Sequence, residues 1–292
     1  MELRDFGSTG IKTSVLGFGA GHIGSPEVEE REVSRLLNEA VGLGINLIDT
    51  ARGYGLSEER IGKALSSRRK EIVLSTKVGY GIPGEKDWTY SCIKAGVDHA
   101  LRLLKTDYID IIFLHSCPLE TLRQGEVIDA LEEAKQSGKA RVLGYSGENE
   151  SLLYAVESGR FGAMQASINI CDQRTIDNIL PLAKQKGMGV IAKRPLANFA
   201  WSYLEQPYGK YAEDYWLRLK KMNLHLDMDV HEAALRFPAY IWGVDSCIIG
   251  TANIAHLKKN VDIISKGKLP DDAVEHIRTS FRNCDDNWIG LV

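Results

Sequence analysis

The feature that most narrows the fold is a recurrence: short segments, apolar almost throughout, separated by stretches with helical periodicity. The apolar segments are Ser14–Phe18, Ile45–Asp49, Ile72–Lys77, Tyr108–His115, Arg141–Ser146, Ala163–Ala166, Gly189–Lys193 and Cys247–Gly250. A strand with one wet face alternates polar and apolar residues, and these do not, so they predict a parallel sheet buried on both faces. Between them lie helical stretches at Val28–Leu43, Glu58–Ser66, Ser91–Leu104 and Glu126–Ser137. In the third, Ile93, Val97, Ala100, Leu101 and Leu104 fall on one helical face. Gly138 is a C-terminal glycine cap for the fourth. Eight strand–helix units in 292 residues predict an α/β fold, a (β/α)₈ TIM barrel, which needs about 250 residues. No linker or internal repeat divides the chain, so residues 1–292 are expected to form a single domain. Met1–Thr13, with turn residues Gly7-Ser8-Thr9-Gly10, is expected to be a hairpin plugging one barrel end. The irregular stretch Asn198–Met228 is expected to lay a loop and a helix over the other, together with C-terminal loops and helices.

Charge and cysteine content exclude several function classes. A net charge of −3 advertises no affinity for nucleic acid. No apolar run approaches a membrane span, and Met1–Asp5 lacks the basic-then-apolar layout of a signal peptide. The five cysteines are widely spaced, with no C-x-x-C pair, which argues against a disulfide framework or zinc knuckle. The expectation is a cytoplasmic protein acting on small molecules, without nucleic-acid or membrane partners and without a metal. Its oligomeric state is open.

Gly19-Ala20-Gly21-His22-Ile23-Gly24 matches the G-x-G-x-x-G dinucleotide fingerprint, and Asp49 stands near where the ribose-binding acid of a Rossmann fold would be. The context argues otherwise. The motif ends before the helix, at Ser25-Pro26, and the helix opens on Glu27, Glu29, Glu30 and Glu32, which would repel a pyrophosphate. The plainer account is a glycine-rich loop that allows close approach at the barrel mouth.

Side chains at the C-terminal ends of barrel strands converge on one mouth, where active sites form. Asp49, Lys77 and His115 end three successive strands, and Tyr54 follows Asp49 by five residues. Singly, each has a bland explanation: a turn cap, a solvated strand end, a core histidine, a loop aromatic. Their placement at consecutive strand ends points to a site.

The surrounding residues carry a resemblance. Gly44-Ile45-Asn46-Leu47-Ile48-Asp49-Thr50-Ala51-Arg52-Gly53-Tyr54-Gly55 resembles a signature of the aldo-keto reductase superfamily. So do Ser75-Thr76-Lys77 and Leu101–Asp110 running on to Leu114-His115. Further matches are Ala130-Leu131-Glu132 through Gly138–Arg141 to Gly144-Tyr145-Ser146, then Ala233–Phe237, and Ile249-Gly250-Thr251 with His256, Leu257 and Asn260. The resemblance implies a tetrad of Asp49, Tyr54, Lys77 and His115 and a nicotinamide cofactor.

The tetrad has its own physical logic. Hydride reduction of a carbonyl builds negative charge on oxygen, so a proton donor must stand there in the transition state. A tyrosine is a neutral acid at pH 7 and a poor base; a lysine ammonium beside it stabilises tyrosinate. Asp49 would hold the lysine, and His115 would offer the substrate oxygen a second hydrogen bond.

By the same resemblance, Ser146 and Gln165 hold the nicotinamide carboxamide; Gly19 and Asp49 are further expected cofactor contacts. The asparagine that usually follows the serine is Gly147 here. Where the family often stacks an aromatic on the nicotinamide, this chain has Lys193-Arg194-Pro195-Leu196. Lys193 and Arg194 would reach pyrophosphate or substrate, or pair with loop carboxylates. Leu196, Gly250, Thr251 and Asn253 would clamp the diphosphate and ribose, with Asn260 facing adenine. His256 stands where an arginine often grips the 2′-phosphate of NADP, so NADP(H) is expected with NAD(H) possible. Trp88, Trp201 and Tyr203 are candidate substrate contacts beside Tyr54 and His115. The expected activity is NAD(P)(H)-dependent hydride transfer between nicotinamide and an aldehyde, ketone or sugar carbonyl, or the matching alcohol. Two rivals are a Schiff-base barrel aldolase using Lys77 or Lys193 and a non-catalytic nicotinamide-binding regulatory barrel.

Overall fold

The computed structural model describes residues 1–291. Strands β1 (Leu3–Asp5) and β2 (Lys12–Ser14) form an antiparallel hairpin. Eight more strands follow: β3 (Leu16–Gly19), β4 (Leu47–Asp49), β5 (Val73–Val78), β6 (Ile109–His115), β7 (Ala140–Ser146), β8 (Ala163–Ser167), β9 (Gly189–Lys193) and β10 (Ser246–Ile249). They close a parallel barrel in which β10 pairs with both β3 and β9. Around it run α1 (Glu30–Gly42), α2 (Ser57–Leu65), α3 (Tyr90–Leu104), α4 (Leu119–Gln124), α5 (Glu126–Gln136), α6 (Asn149–Ser158), α7 (Arg174–Asn178), α8 (Leu180–Gln185), α9 (Glu213–Met222), α10 (Val230–Tyr240), α11 (Ile254–Ser265) and α12 (Asp271–Cys284). The chain is a (β/α)₈ barrel with a short N-terminal hairpin, and each of the eight apolar segments supplies one strand.

Two apolar layers hold it. The larger lies between strands and helices; the smaller fills the barrel with Leu47, Val73, Ile111, Phe113, Val142, Ala163, Ile191 and Ile248. Phe6 and Ile11 of the hairpin complete this inner cluster, and Phe6 is fully buried. A Cβ on Gly189 would fall 2.4 Å from the Phe6 ring, so glycine there is what lets the plug seat. The hairpin is also tied down by polar contacts. Gly7 and Val190 both donate backbone N–H groups to Asp245 Oδ2, and Lys184 pairs with the same carboxylate at 2.9 Å.

The other end carries the long βα connections. The Asn198–Met228 stretch begins with a 3₁₀ turn at Ala197–Ser202 and continues into α9. After α12 the chain returns across the mouth. Arg218 donates to Ile289 O, Asn149 exchanges two hydrogen bonds with Gly290, and Ser167 donates to Leu291 O. Among the described residues, no helix is long and apolar enough to cross a membrane.

Candidate active site

Strand ends build the site because a parallel barrel aims all its C-terminal ends at one mouth. Asp49 closes β4, Lys77 is the next-to-last residue of β5, His115 closes β6, Ser146 closes β7 and Lys193 closes β9. The pleat turns Asp49 and Lys77 inward, where both are about 1% exposed. Lys77 Nζ donates to Asp49 Oδ2 at 2.6 Å and to Thr50 O at 2.8 Å, and lies 5.1 Å from the centre of the Tyr54 ring. Burial pulls the Lys77 pKa down, but Asp49 and Tyr54 more than offset that, and the net shift is upward. The group is a fixed ammonium.

The second oxygen of Asp49 is also satisfied. Asp49 Oδ1 accepts from Ser75 Oγ at 2.7 Å and from Gln165 Nε2 at 3.0 Å. Gln165 Oε1 in turn accepts from Ser146 Oγ at 3.0 Å. Satisfaction of both ends is the condition for carrying a buried ion pair without a large penalty.

Tyr54 sits in the loop between β4 and α2, and the glycine-rich loop after β3 wraps it. A Cβ on Gly24 would stand 1.8 Å from Tyr54 O, and Gly24 O accepts from Leu56 N. The helix begins only at Glu30. The G-x-G-x-x-G match thus serves close packing of two loops at the mouth, and its third glycine packs against a loop instead of opening a helix.

His115 meets Tyr54 edge to face at 5.9 Å between ring centres. Burial, then the charges of Lys77, Lys193 and Arg194, push its pKa down to about 3, so the imidazole is neutral at physiological pH. Its Nδ1 lies 2.8 Å from the hydroxyl of Tyr80. Sequence reasoning missed Tyr80: it lies two residues beyond β5, in a loop whose course no periodicity foretells.

A cavity of about 810 Å³ opens over these groups, within the range of ligand pockets. Among the expected residues, Gly19, Asp49, Tyr54, His115, Ser146, Gln165, Lys193, Arg194, Leu196, Tyr203 and Gly250 line it. His22, Ser116, Phe199, Lys210 and Tyr211 line it too, and only their position on βα loops could have flagged them. Lys193 pairs with Glu148 at 2.7 Å, while Arg194 stacks on Tyr211 and donates to Leu291 O. Arg194 and Lys210 bring positive charge to the cavity with no carboxylate paired to either among the described residues, and the one acidic lining residue among them, Asp49, is already paired with Lys77.

The remaining expected residues lie elsewhere. Thr251, Asn253, His256 and Asn260 follow Gly250 into and along α11, outside the cavity. The Asn253 side chain caps that helix by accepting from Ala255 N, and His256 is exposed in the first turn. Asn260 is buried with Oδ1 2.8 Å from His231 Nε2. Trp201 turns into a second cavity, between the loop and α9, with Trp216 and Leu219. Trp88 packs on Tyr80, at 5.8 Å between ring centres, and does not reach the main cavity.

Comparison with known proteins identifies the family of the chain. Residues 15–281 match the model of the aldo/keto reductase family. The aldo-keto reductase AKR11C1 from Bacillus halodurans, in its holo form, superposes with a TM-score of 0.84 at 31% identity, covering 96% of each chain. L-galactose dehydrogenase from Arabidopsis thaliana is 36% identical over 68% of this chain and 66% of its own. An NADH-specific methylglyoxal reductase from Escherichia coli is 28% identical over 91% of this chain and 88% of its own. This chain belongs to the aldo/keto reductase family.

Proposed function

We propose that the protein transfers hydride between a nicotinamide cofactor and a small carbonyl or alcohol, with Tyr54 as the acid and base. The observation that carries this reading is the Lys77 ammonium, buried and fixed by Asp49 and Thr50 beside the Tyr54 ring at an open mouth. A cation so held favours the tyrosinate that proton donation leaves behind. It therefore lowers the barrier where charge develops and leaves ground-state binding nearly untouched.

The donor set fits the cofactor. Ser146, at the end of β7, and Gln165, in the middle of β8, offer side-chain donors and acceptors to the cavity, where a carboxamide would sit. The cations Arg194 and Lys210 answer a diphosphate. Gly19 and Gly250 both line the cavity, and glycine at 250 lets the His22 ring pack there, since a Cβ would stand 2.6 Å from His22 Nδ1. When bound, the nicotinamide supplies or accepts the hydride. The residues of the chain do the rest. Tyr54 gives its phenolic proton to the carbonyl oxygen as the carbon becomes a C–H, and Lys77 stabilises the phenolate. In the reverse direction Tyr54 takes the alcohol proton. His115 is neutral, and its ring nitrogen remote from Tyr80 lies free to meet the same oxygen. Lys193 is already engaged by Glu148, which disfavours it as a Schiff-base nucleophile.

Two relatives are named for sugars, the L-galactose dehydrogenase and a D-threo-aldose 1-dehydrogenase from a Pseudomonas species. Aldoses and short polar aldehydes are accordingly the first substrates to offer. Thr251, Asn253 and Asn260 accompany His256 along the adenosine end, and a histidine in place of a permanent cation implies a modest preference for NADPH over NADH. Tryptophan quenching with both cofactors, then turnover on aldehydes, ketones and sugars, tests the reading. Tyr54→Phe should cut kcat by about 10²–10⁴-fold, the worth of a placed general acid, with cofactor affinity unchanged. Near-normal kcat in that variant, with chemistry rate-limiting, removes Tyr54 from the role.

A further inference from the structure

We propose that Tyr80 is a positioning residue for this reaction: its hydroxyl donates to His115 Nδ1, fixes the imidazole as the Nε2–H tautomer, and so turns a donor toward the substrate oxygen. The inference rests on the proposed reductase chemistry and adds a residue outside the Asp49–Tyr54–Lys77–His115 set.

The geometry leaves His115 one free nitrogen. Tyr80 Oη stands 2.8 Å from Nδ1, and the two rings stack at 5.6 Å with 23° between their planes. A neutral imidazole carries one proton, so the direction of this hydrogen bond decides what Nε2 presents to the cavity. If Nδ1 donated, Nε2 would turn a lone pair on the substrate oxygen and repel the charge that builds there. If Tyr80 donates, Nε2–H becomes a second donor beside Tyr54 on that oxygen.

Two facts select the second arrangement. A phenol is the better donor and an imidazole nitrogen the better acceptor of the pair. Among the described residues, moreover, Tyr80 Oη has no other hydrogen-bond partner. Its proton would be stranded in a half-buried site if the bond ran the other way. Burial raises the Tyr80 pKa, so the phenol keeps that proton, and His115 stays neutral as described above. The arrangement serves both reaction directions, because a carbonyl and an alcohol oxygen each accept from Nε2–H.

Neighbouring residues hold Tyr80 in place. The Trp88 indole meets it edge to face and lies flat on Gly79, where a Cβ would fall 2.2 Å from the ring. Trp88 N donates to Gly79 O at 2.8 Å. On the other side, a Cβ on Gly53 would stand 2.9 Å from Tyr80 Oη. Trp88 therefore acts through Tyr80 and His115, with those two residues between it and the substrate.

Tyr80→Phe tests the idea while keeping the ring and its stack. In the free protein, ¹⁵N spectra of the His115 ring should report Nε2–H in the wild type and a mixed or reversed tautomer in the variant. Turnover should fall about tenfold in kcat, the scale of one misdirected neutral hydrogen bond, with cofactor affinity unchanged. In a His115→Ala background the same substitution should cost nothing further. An unchanged tautomer in Tyr80→Phe overturns the proposal, and so does a full additional loss in the His115→Ala background. The spectra need no substrate. Failure of the wild type to reduce any carbonyl would sink the reductase reading and leave the tautomer result to decide on Tyr80.

Discussion

The two ends of the barrel solve the same backbone problem differently. At the plugged end, where helices lead into strands, the positive-φ positions are mostly glycine: Gly44, Gly138, Gly187 and Gly243, with Lys105 the exception. At the mouth, where strands lead into helices, glycines such as Gly55, Gly79, Gly81 and Gly84 share positive φ with Trp88, Ser116, Asn149, Arg194, Ala197, Asn198 and Phe199. A non-glycine residue held there costs on the order of 1–3 kcal/mol and persists only where its surroundings over-determine it. Four of the non-glycine residues line the cavity: Ser116 and, from the stretch after β9, Arg194, Asn198 and Phe199. Both ends bury charge: the mouth holds Asp49, Lys77, Glu148 and Asp172, and the plugged end Asp110 and Asp245, each paired with a less buried Arg or Lys, while the barrel interior between them is apolar. The plugged end is built for stability, and the mouth spends some of that stability on holding side chains at fixed places.

Lys77→Met gives this contrast its hardest test, because it strikes both properties at once. It leaves Asp49 buried and without its cation, the kind of loss that costs about 3–5 kcal/mol. Turnover should fall by orders of magnitude as tyrosinate loses its stabiliser. Urea melts and steady-state rates measure the two losses. A variant that melts like wild type and keeps its turnover would remove Lys77 from both roles.

Phe6→Ala is the complementary blow. It empties a fully buried site at the plugged end and should cost about 3–5 kcal/mol. In the surviving folded fraction, kcat and KM should stay close to wild type, since the inner cluster shares only Ile248 with the cavity lining and contains none of Asp49, Tyr54, Lys77 and His115. A drop in kcat with little change in stability would mean that the two ends are coupled and the division above is wrong.

The plugged end and the strands were legible in the sequence because they obey local rules. Apolar runs marked all eight strands, and Gly7 and Gly10 marked the hairpin turn. The gathering of Asp49, Tyr54, Lys77 and His115 was legible as well, since Asp49 and His115 close strands, Lys77 stands one residue from the end of its own, and the barrel brings strand ends together. What escaped were side chains placed by loops. Trp88 and Trp201 were expected at the pocket because they are large aromatics in mouth loops. In the structure the left-handed turn at Trp88 lays its indole on Gly79, and the 3₁₀ turn carries Trp201 behind the loop, leaving Phe199, Tyr203 and Tyr211 facing the cavity. No period of 2 or 3.6 encodes such a choice. The crossing of residues 288–291 over the mouth was equally hidden. It depends on partners more than a hundred residues away, such as Asn149 for Gly290.

The smallest expected effect concerns that crossing. Asp172 is 2% exposed; its Oδ2 accepts from Tyr215 Oη at 3.2 Å and from Leu291 N at 3.4 Å, and lies 3.7 Å from Arg218. Burial first, then the nearby Glu148 charge, raise its pKa to about 7 against the opposing pull of Arg218. An unfolded aspartate titrates near 3.9. Between these values the folded chain binds the proton and the unfolded chain does not, so this residue's contribution is whole below about pH 4 and is lost as pH rises toward 7. Asp172→Asn keeps an oxygen acceptor for Tyr215 and Leu291 and removes the titration. Relative to wild type, the variant should gain about 1–3 kcal/mol between pH 5 and pH 8. His115, with its pKa pushed down to about 3, works in the opposite sense and weakens the fold as pH falls below about 6.5. Both chains share it, so the difference between their urea melts isolates Asp172. Melts of the two chains at pH 5, 6, 7 and 8 decide the matter. If their stabilities run parallel across that range, the carboxyl is already ionised at pH 5, and the mouth carries its charge at less cost than the contrast between the two ends requires.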